Sequence, residues 1–174
     1  MDKITYNFKN RTALVTGGAQ GFGFDIAKRF LESGAKVIIW DIDPKIIEKS
    51  LKDLNNSNLS SNIVDVSNYQ EVESTVNEIT QSSNIDILIN NAGITGPTAS
   101  LWDYDIEMWK KVVEINLMGT FHCCKAVVPN MILNNYPRHL ESMIVSALNM
   151  MYLHTIDHAE IDLVAQMLVF SLNK

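Results

Sequence analysis

The sequence contains only two cysteines, Cys123 and Cys124, and they are adjacent. Neighbouring cysteines cannot bridge distant parts of a fold, and this usage is typical of a reducing compartment, so we expect a cytoplasmic protein. Long apolar runs are also missing, since none approaches the ~20 residues that a membrane-spanning helix needs. The short apolar run at 13–15 stops at a glycine pair, which argues against a signal peptide.

Basic residues are few: the chain has 14 of them against 20 acidic residues, for a formal net charge of -6. This balance does not attract polyanions at long range, so we expect neither nucleic acid nor anionic membranes as partners. With 47% hydrophobic and 20% charged residues, the composition excludes a disordered chain. We therefore expect residues 1–174 to form a single domain.

Segments typical of strands alternate with segments typical of helices. The predicted strands are 12–16, 36–40, 63–66, 85–89 and 143–148, and the predicted helices are 22–33, 44–54, 106–133 (bent near Gly119) and 161–172, with a further helix after Ser67 that runs through Ile79. Because each helical crossover returns the chain to the same end of the sheet, the strands must be parallel. The pattern predicts an α/β fold, a Rossmann-type doubly wound parallel sheet.

Short local signals place the helix ends. Asp43 with Pro44 supplies an N-cap and a first-turn proline, and Ser67 with Gln70 forms a capping-box pattern. Gly34 can end the first helix.

Glycine is concentrated between the first predicted strand and the first predicted helix, in Thr16–Gly23. Glycine there lets backbone N–H groups and a helix N-terminus approach a pyrophosphate, which a side chain would block. An isolated glycine-rich turn is a weak signal, but a strand before it and a helix after it favour a dinucleotide site. The predicted cofactor-binding residues here are Gly17, Gln20, Gly21, Phe22 and Gly23.

Asp41 follows the second predicted strand. A carboxylate at this place can accept hydrogen bonds from both ribose hydroxyls of an adenosine, and it would repel a 2′-phosphate. Gln20 and Ile42 stand where basic residues would counter that repulsion. Asp41 therefore favours NAD over NADP, and its alternative roles are a solvated strand end or part of a helix cap.

Three motifs, in order along the chain, carry a family resemblance: Thr16–Gly23, Asn90–Gly93 and Asn116. Together they resemble the short-chain dehydrogenase/reductase family over about residues 10–135. The resemblance implies that Asp65 and Val66 meet the adenine and that Asn91, Ala92 and Gly93 lie beside the cofactor. It also implies that Asn116 holds a water in a proton relay.

That family transfers a hydride between a nicotinamide and an alcohol or carbonyl carbon, using a tyrosine, a lysine four residues later, and a serine. Here Ile156 stands four residues after Tyr152, and no lysine lies between Lys125 and Lys174. Ser146 is the nearest counterpart of the serine by spacing, and a half-buried strand serine is its alternative role. Asn116 and Ser146 are the predicted catalytic residues.

The last part of the sequence departs further, because no glycine follows Gly119 and the chain ends before the later strands of the family. Three explanations stay open: a divergent member that lost catalysis, a truncated or frame-altered product, or a member with new chemistry. The new chemistry would use Tyr152, or His158 with Asp162. A metal site at His154, His158 and Asp162 is disfavoured, so no metal is expected.

We therefore expect an NAD(H)-dependent oxidoreductase that acts on the alcohol/carbonyl pair of a small molecule. The alternative is a catalytically inactive dinucleotide-binding or oligomer-interaction protein derived from such an enzyme. Apolar residues from Met143 to Phe170 favour a homo-oligomer. Among the aromatic residues after the fourth predicted strand, Trp109 is expected to pack in the core.

Overall fold

The computed structural model describes residues 7–134, which form a parallel sheet with helices on both faces. The strands are β1 (Thr12–Thr16), β2 (Lys36–Asp41), β3 (Leu59–Ile63) and β4 (Ile87–Ile89), and their order in the sheet is β3-β2-β1-β4. All three pairings are parallel. The predicted α/β class with a doubly wound parallel sheet is confirmed, whereas the predicted strand 143–148 and helix 161–172 lie outside the described residues.

Three helices cross between successive strands, and two follow β4. They are α1 (Gly21–Glu32), α2 (Pro44–Leu54), α3 (Tyr69–Thr80), α4 (Ile106–Val113) and α5 (Gly119–Leu133). A short π-helical segment, Glu114–Met118, joins α4 to α5, and a 3-10 turn at Leu101–Asp103 precedes α4. The predicted bend near Gly119 is thus a local change of helix type just before that glycine.

The core has two halves because successive side chains of a strand point to opposite faces of the sheet. Val15 of β1 and Ile39 of β2 belong to the half that α1 and α2 cover. Leu14 and Trp40 belong to the half that α3 and α5 cover. Both faces of the central strands are buried, which explains their nearly continuous apolar sequence.

Two local predictions are wrong. The third strand is β3 at Leu59–Ile63 and not 63–66, because β3 lies at one edge of the described sheet and needs no apolar run. Val64 and Val66 are buried as loop residues after that strand. The helix cap is not Ser67 but Asn68, whose side chain accepts a hydrogen bond from the backbone N–H of Glu71 at 3.3 Å.

No helix within residues 7–134 is long and apolar enough to cross a membrane. The predicted cap and proline of the second helix are confirmed. The Asp43 carboxylate accepts hydrogen bonds from the backbone N–H groups of Lys45 at 2.8 Å and Ile46 at 3.4 Å, and Pro44 is the first helical residue.

We expect Asp43→Ala to lower the free energy of unfolding by ~1 kcal/mol, because it leaves N–H groups of the first turn of α2 without their acceptor. Asp43→Asn is the matched control, since asparagine keeps an accepting oxygen at the cap. Urea denaturation followed by circular dichroism measures both. An alanine variant as stable as the wild type would contradict this role.

Candidate functional site

A cleft of about 340 Å³ opens at the carboxyl ends of β1, β2 and β4. The chain places β2 and β3 on one side of β1 and β4 on the other, so the strand order reverses here. Open parallel sheets bind ligands at such a reversal. The lining residues are Gly17, Gln20, Gly21, Phe22, Asp41, Ile42, Val64, Asp65, Val66, Asn91, Ala92, Gly93, Ile94 and Ile115.

Every predicted cofactor-binding residue except Gly23 lies in this lining. Residues as distant in sequence as Gly17, Asp65 and Asn91 are therefore brought to one place. The sequence interpretation missed Val64, Ile94 and Ile115 as lining residues. Each of them adjoins a residue that was singled out, so position along the chain was the available signal.

Two glycines shape the turn into α1. Gly21 has a φ of +55°, and nothing would lie within 4 Å of a Cβ atom there, so the backbone faces open space. Gly23 is in the opposite situation, because a Cβ would overlap the backbone oxygen of Gly17 and would lie 2.5 Å from Asn91 Nδ2. Gly23 does not line the cleft. Because it has no Cβ, it permits the close approach of α1 to the strand ends.

The N-terminus of α1 has no side-chain cap. Asp43, Asn68 and Asp105 each accept a hydrogen bond from the first turn of α2, α3 and α4 respectively. Gln20, at the N-cap of α1, makes no such bond, and the first turn of α1 contains no acidic residue. The partial positive charge of this helix end is therefore not neutralised by its own first turn.

The Thr16 hydroxyl joins the end of β1 to the loop that follows β4. It donates to the Ile89 carbonyl at 3.4 Å and accepts from the backbone N–H groups of Asn91 and Ala92, each at 3.0 Å. The Asn91 side chain returns the connection, because its Nδ2 donates to the carbonyls of Thr16 at 3.1 Å and Gly17 at 3.0 Å. Asn91 therefore holds the glycine loop in place besides lining the cleft.

Two carboxylates lie in the wall of the cleft. Asp41 is only 9% exposed, and its Oδ1 accepts from the backbone N–H of Asp43 at 3.3 Å. Asp65 Oδ1 accepts from the backbone N–H of Ser67 at 2.9 Å and from its hydroxyl at 2.7 Å, which fixes the loop after β3. The lining contains no lysine or arginine, so its charge is negative.

Asn116 lies in the π-helical segment and holds the loop after β4 with both groups of its side-chain amide. Its Oδ1 accepts from the backbone N–H of Ile94 at 2.9 Å, and its Nδ2 donates to the carbonyl of Ile94 at 3.1 Å. The observed partner of this side chain is thus a residue of the cleft wall. The water-holding role that the family resemblance implies for Asn116 stays a prediction.

Neither cysteine is suited to nucleophilic chemistry. Burial raises the pKa of the Cys123 thiol to about 12 and also raises the pKa of Cys124. Both thiols are therefore protonated near neutral pH, and the thiolate is the reactive form. Cys124 Sγ lies 3.4 Å from Nδ2 of Asn90, a residue that is only 2% exposed.

Ser146, Tyr152, His154, His158 and Asp162 lie outside the described residues. The predicted catalytic role of Ser146 beside Asn116 therefore stays a prediction. Within residues 7–134, no group of three or more histidine, cysteine, aspartate or glutamate side chains could hold a metal ion.

A doubly wound parallel sheet, with a glycine-lined and uncapped helix end at the reversal of strand order, is a Rossmann-type fold and is typical of nucleotide-binding proteins. A profile described as short chain dehydrogenase matches residues 11–146. The chain belongs to that family of oxidoreductases, whose members bind a nicotinamide dinucleotide.

Curated relatives agree with this assignment. The chain is 33% identical over 139 residues to the 2-dehydro-3-deoxy-L-rhamnonate dehydrogenase (NAD(+)) of Sphingomonas sp. (strain SKA58), covering 79% of this chain and 55% of the relative. It is 39% identical over 127 residues to the 3-oxoacyl-[acyl-carrier-protein] reductase FabG of Chlamydia muridarum, covering 71% and 51%. The chain thus spans about half the length of these relatives.

Solved structures show the same likeness. A structure from Novosphingobium aromaticivorans, provisionally assigned to the short-chain dehydrogenases, matches with a TM-score of 0.70 and 28% identity over 74% of this chain and 48% of that one. The crystal structure of gox2181 matches with a TM-score of 0.70 and 36% identity over 74% and 51%.

We expect Thr16→Val to lower the free energy of unfolding by ~1–3 kcal/mol, because the N–H groups of Asn91 and Ala92 then lose the hydroxyl that accepts from both of them. Thr16→Ser keeps the hydroxyl and is the matched control. Hydrogen exchange of the Ala92 amide should accelerate in the valine variant and much less in the serine variant. Equal exchange rates in the two variants would show that the hydroxyl does not hold this loop.

Proposed function

We propose that the cleft binds NAD(H) and that this chain carries the cofactor-binding part of an oxidoreductase acting on an alcohol/carbonyl pair. The observation that carries the proposal is the Asp41 carboxylate, placed in the wall of a cleft whose lining has no lysine or arginine. A buried carboxylate there favours a ribose with two free hydroxyls. It disfavours a 2′-phosphate, because like charges repel.

The residues present fit a dinucleotide. The uncapped N-terminus of α1 offers backbone N–H groups to a pyrophosphate, and Gly21 leaves the space that the phosphates need. Asp41 at the end of β2 would hold the adenosine ribose, and Asp65 with Val66 would flank the adenine. The remaining half of the cofactor would then extend across β1 towards Gly93 and Ile94.

When bound, the nicotinamide supplies or accepts the hydride of the reaction. We propose that Ser146 polarises the substrate oxygen and that Asn116, through its hold on Ile94, keeps the cleft wall in place. The substrate class rests on the relatives, since one is named as a dehydrogenase of a deoxy sugar acid and another as a reductase of a 3-oxoacyl group. Both names describe interconversion of a hydroxyl and a carbonyl.

Further parts of the proposal concern the whole chain. We propose one nucleotide-binding domain, because the described strands and helices share one sheet. Two free cysteines favour the cytoplasm. Apolar side chains exposed on α5, among them Phe121 and Ile132, favour a homo-oligomer.

We expect Asp41→Ala to raise the Kd for NADH by about tenfold to a hundredfold, because hydrogen bonds to a charged acceptor contribute ~1.5–3 kcal/mol. The preference for NADH over NADPH should fall at the same time, since the repulsion of the 2′-phosphate is removed. Isothermal titration with both cofactors measures the two effects.

Two controls accompany this variant. Asp41→Asn keeps an acceptor for the Asp43 N–H group but loses the charge, so it should lose most of the discrimination against NADPH. Asp53→Asn makes the same change of charge at an exposed position of α2 and should leave both Kd values unchanged. Wild-type protein that binds NADPH as tightly as NADH would contradict the NAD assignment.

Turnover is tested separately from binding. With NADH and a 3-oxoacyl thioester we expect consumption of NADH, and with NAD+ and a 2-keto-3-deoxy sugar acid that carries a free hydroxyl we expect formation of NADH, both followed by the absorbance of NADH. Asn116→Ala should lower kcat by about tenfold, which corresponds to ~1.4 kcal/mol of activation free energy. Tight NADH binding without turnover on any carbonyl compound would instead support an inactive dinucleotide-binding protein.

A further inference from the structure

The wall of the cleft next to β4 is built by a loop without regular secondary structure. Residues 90–100 form neither helix nor strand, yet Gly93 and Ile94 line the cleft. Backbone hydrogen bonds of a helix or sheet therefore do not fix this wall. Its position depends on side chains that reach the loop from elsewhere, as Thr16 does at Ala92 and Asn116 does at Ile94.

A third side chain reaches the loop at Gly96. A Cβ atom on Gly96 would overlap the hydroxyl oxygen of Tyr104 and would lie 2.9 Å from its Cζ. The phenol thus touches the backbone of the loop two residues after Ile94. The φ of Gly96 is not in the left-handed region, so glycine is needed here for space and not for backbone conformation.

The Tyr104 ring is itself held in place. It packs edge-on against Trp109, with ring centroids 5.7 Å apart and an interplanar angle of 88°. Val112, which is 1% exposed, has its Cγ2 only 3.4 Å from the position that a Gly96 Cβ would take. Trp109 was expected in the core but is 37% exposed, and its observed contact is with this ring.

The contact is steric. Tyr104 Oη is buried and has no hydrogen-bond partner among residues 7–134. A buried hydroxyl without a partner destabilises a fold. Because this hydroxyl makes no hydrogen bond within residues 7–134, hydrogen bonding in this part of the chain does not explain the presence of a tyrosine at position 104. What the hydroxyl adds over phenylalanine is length, which brings the side chain against Gly96.

We propose that Tyr104 is a positioning residue for the dinucleotide: by its contact with Gly96 it fixes the loop that forms the β4 side of the cleft. This inference rests on the proposed function, because it assumes that a dinucleotide extends over that wall. Asp41 lies on β2, across β1 from the loop. Loosening the loop should therefore affect the half of the cofactor beyond the pyrophosphate more than the adenosine half.

The test uses the full chain and the variants Gly96→Ala, Tyr104→Phe and their combination. Gly96→Ala should raise the Kd for NADH by about tenfold and the Kd for AMP by less than about twofold. Amide exchange across residues 92–96 should rise by about tenfold in the same variant. The combined variant should recover most of both effects, because removing the hydroxyl makes room for the added methyl group.

Gly34→Ala is the control for general loss of stability. Gly34 has a φ of +88° at the far end of α1, away from the cleft, so alanine strains the backbone there. Its melting temperature should fall while the Kd for NADH and the exchange of residues 92–96 stay as in the wild type. A change in this control as large as in Gly96→Ala would overturn the proposal.

Further outcomes are decisive. Unchanged NADH affinity in Gly96→Ala, or no recovery in the combined variant, overturns the proposal. Wild-type protein that binds no dinucleotide would contradict both the proposed function and this positioning role. In that case, amide exchange across residues 92–96 that is slow in the wild type, faster in Gly96→Ala and slow again in the combined variant would still show that the contact holds the loop. Weaker NADH binding with unchanged AMP binding in Gly96→Ala, and recovery in the combined variant, would support the proposal.

Discussion

The cleft depends on the junction between the ends of β1 and β4, and the Thr16 hydroxyl forms the centre of that junction. This hydroxyl donates to the carbonyl of Ile89, the last residue of β4, and accepts from the N–H groups of Asn91 and Ala92 in the loop that follows β4. Because β4 is only three residues long, the sheet ladder fixes little of the chain beyond Ile89. The hydroxyl and the Asn91 amide therefore set where the cleft lining begins on this side.

The same end of the sheet contains a helix N-terminus that no side chain caps. At the N-termini of α2, α3 and α4, the side chain of the N-cap residue accepts a hydrogen bond from the first turn. At the N-terminus of α1, whose first turn lines the cleft, no side chain does so. An N-cap contributes ~1 kcal/mol to stability, so an uncapped helix end is a local weakness. Departures of this kind concentrate at functional sites, where a ligand can satisfy groups that the chain leaves open. Among the α-helices of residues 7–134 that begin after a loop, α1 alone lacks a side-chain cap, since α5 continues the π-helical segment. This contrast marks this end of the sheet without reference to any relative.

Much of the fold could be predicted because its central strands are buried on both faces. That burial requires nearly continuous apolar residues in β1 and β2, and such runs stand out in a sequence. Strand β3 was misplaced for the complementary reason: at an edge its residues can be polar, while the apolar Val64 and Val66 after it are buried in a loop. The cap at Asn68 was missed because its neighbour Ser67 can serve equally, but the Ser67 hydroxyl donates to Asp65 instead.

The candidate site also has one part that could be predicted from the sequence and one part that could not. Glycines of the first turn follow the end of β1, and Asp41 is the last residue of β2, so their place in the chain already fixes their place in space. Contacts of the loop after β4 do not follow from local order: Asn116 meets Ile94 across 22 residues, and Tyr104 meets Gly96 only because the chain turns back before α4. One side of the cleft is thus held by the sheet and α1, and the other by side chains from the segment that leads into α5. Substitutions on the second side can therefore alter the cleft while the sheet stays intact.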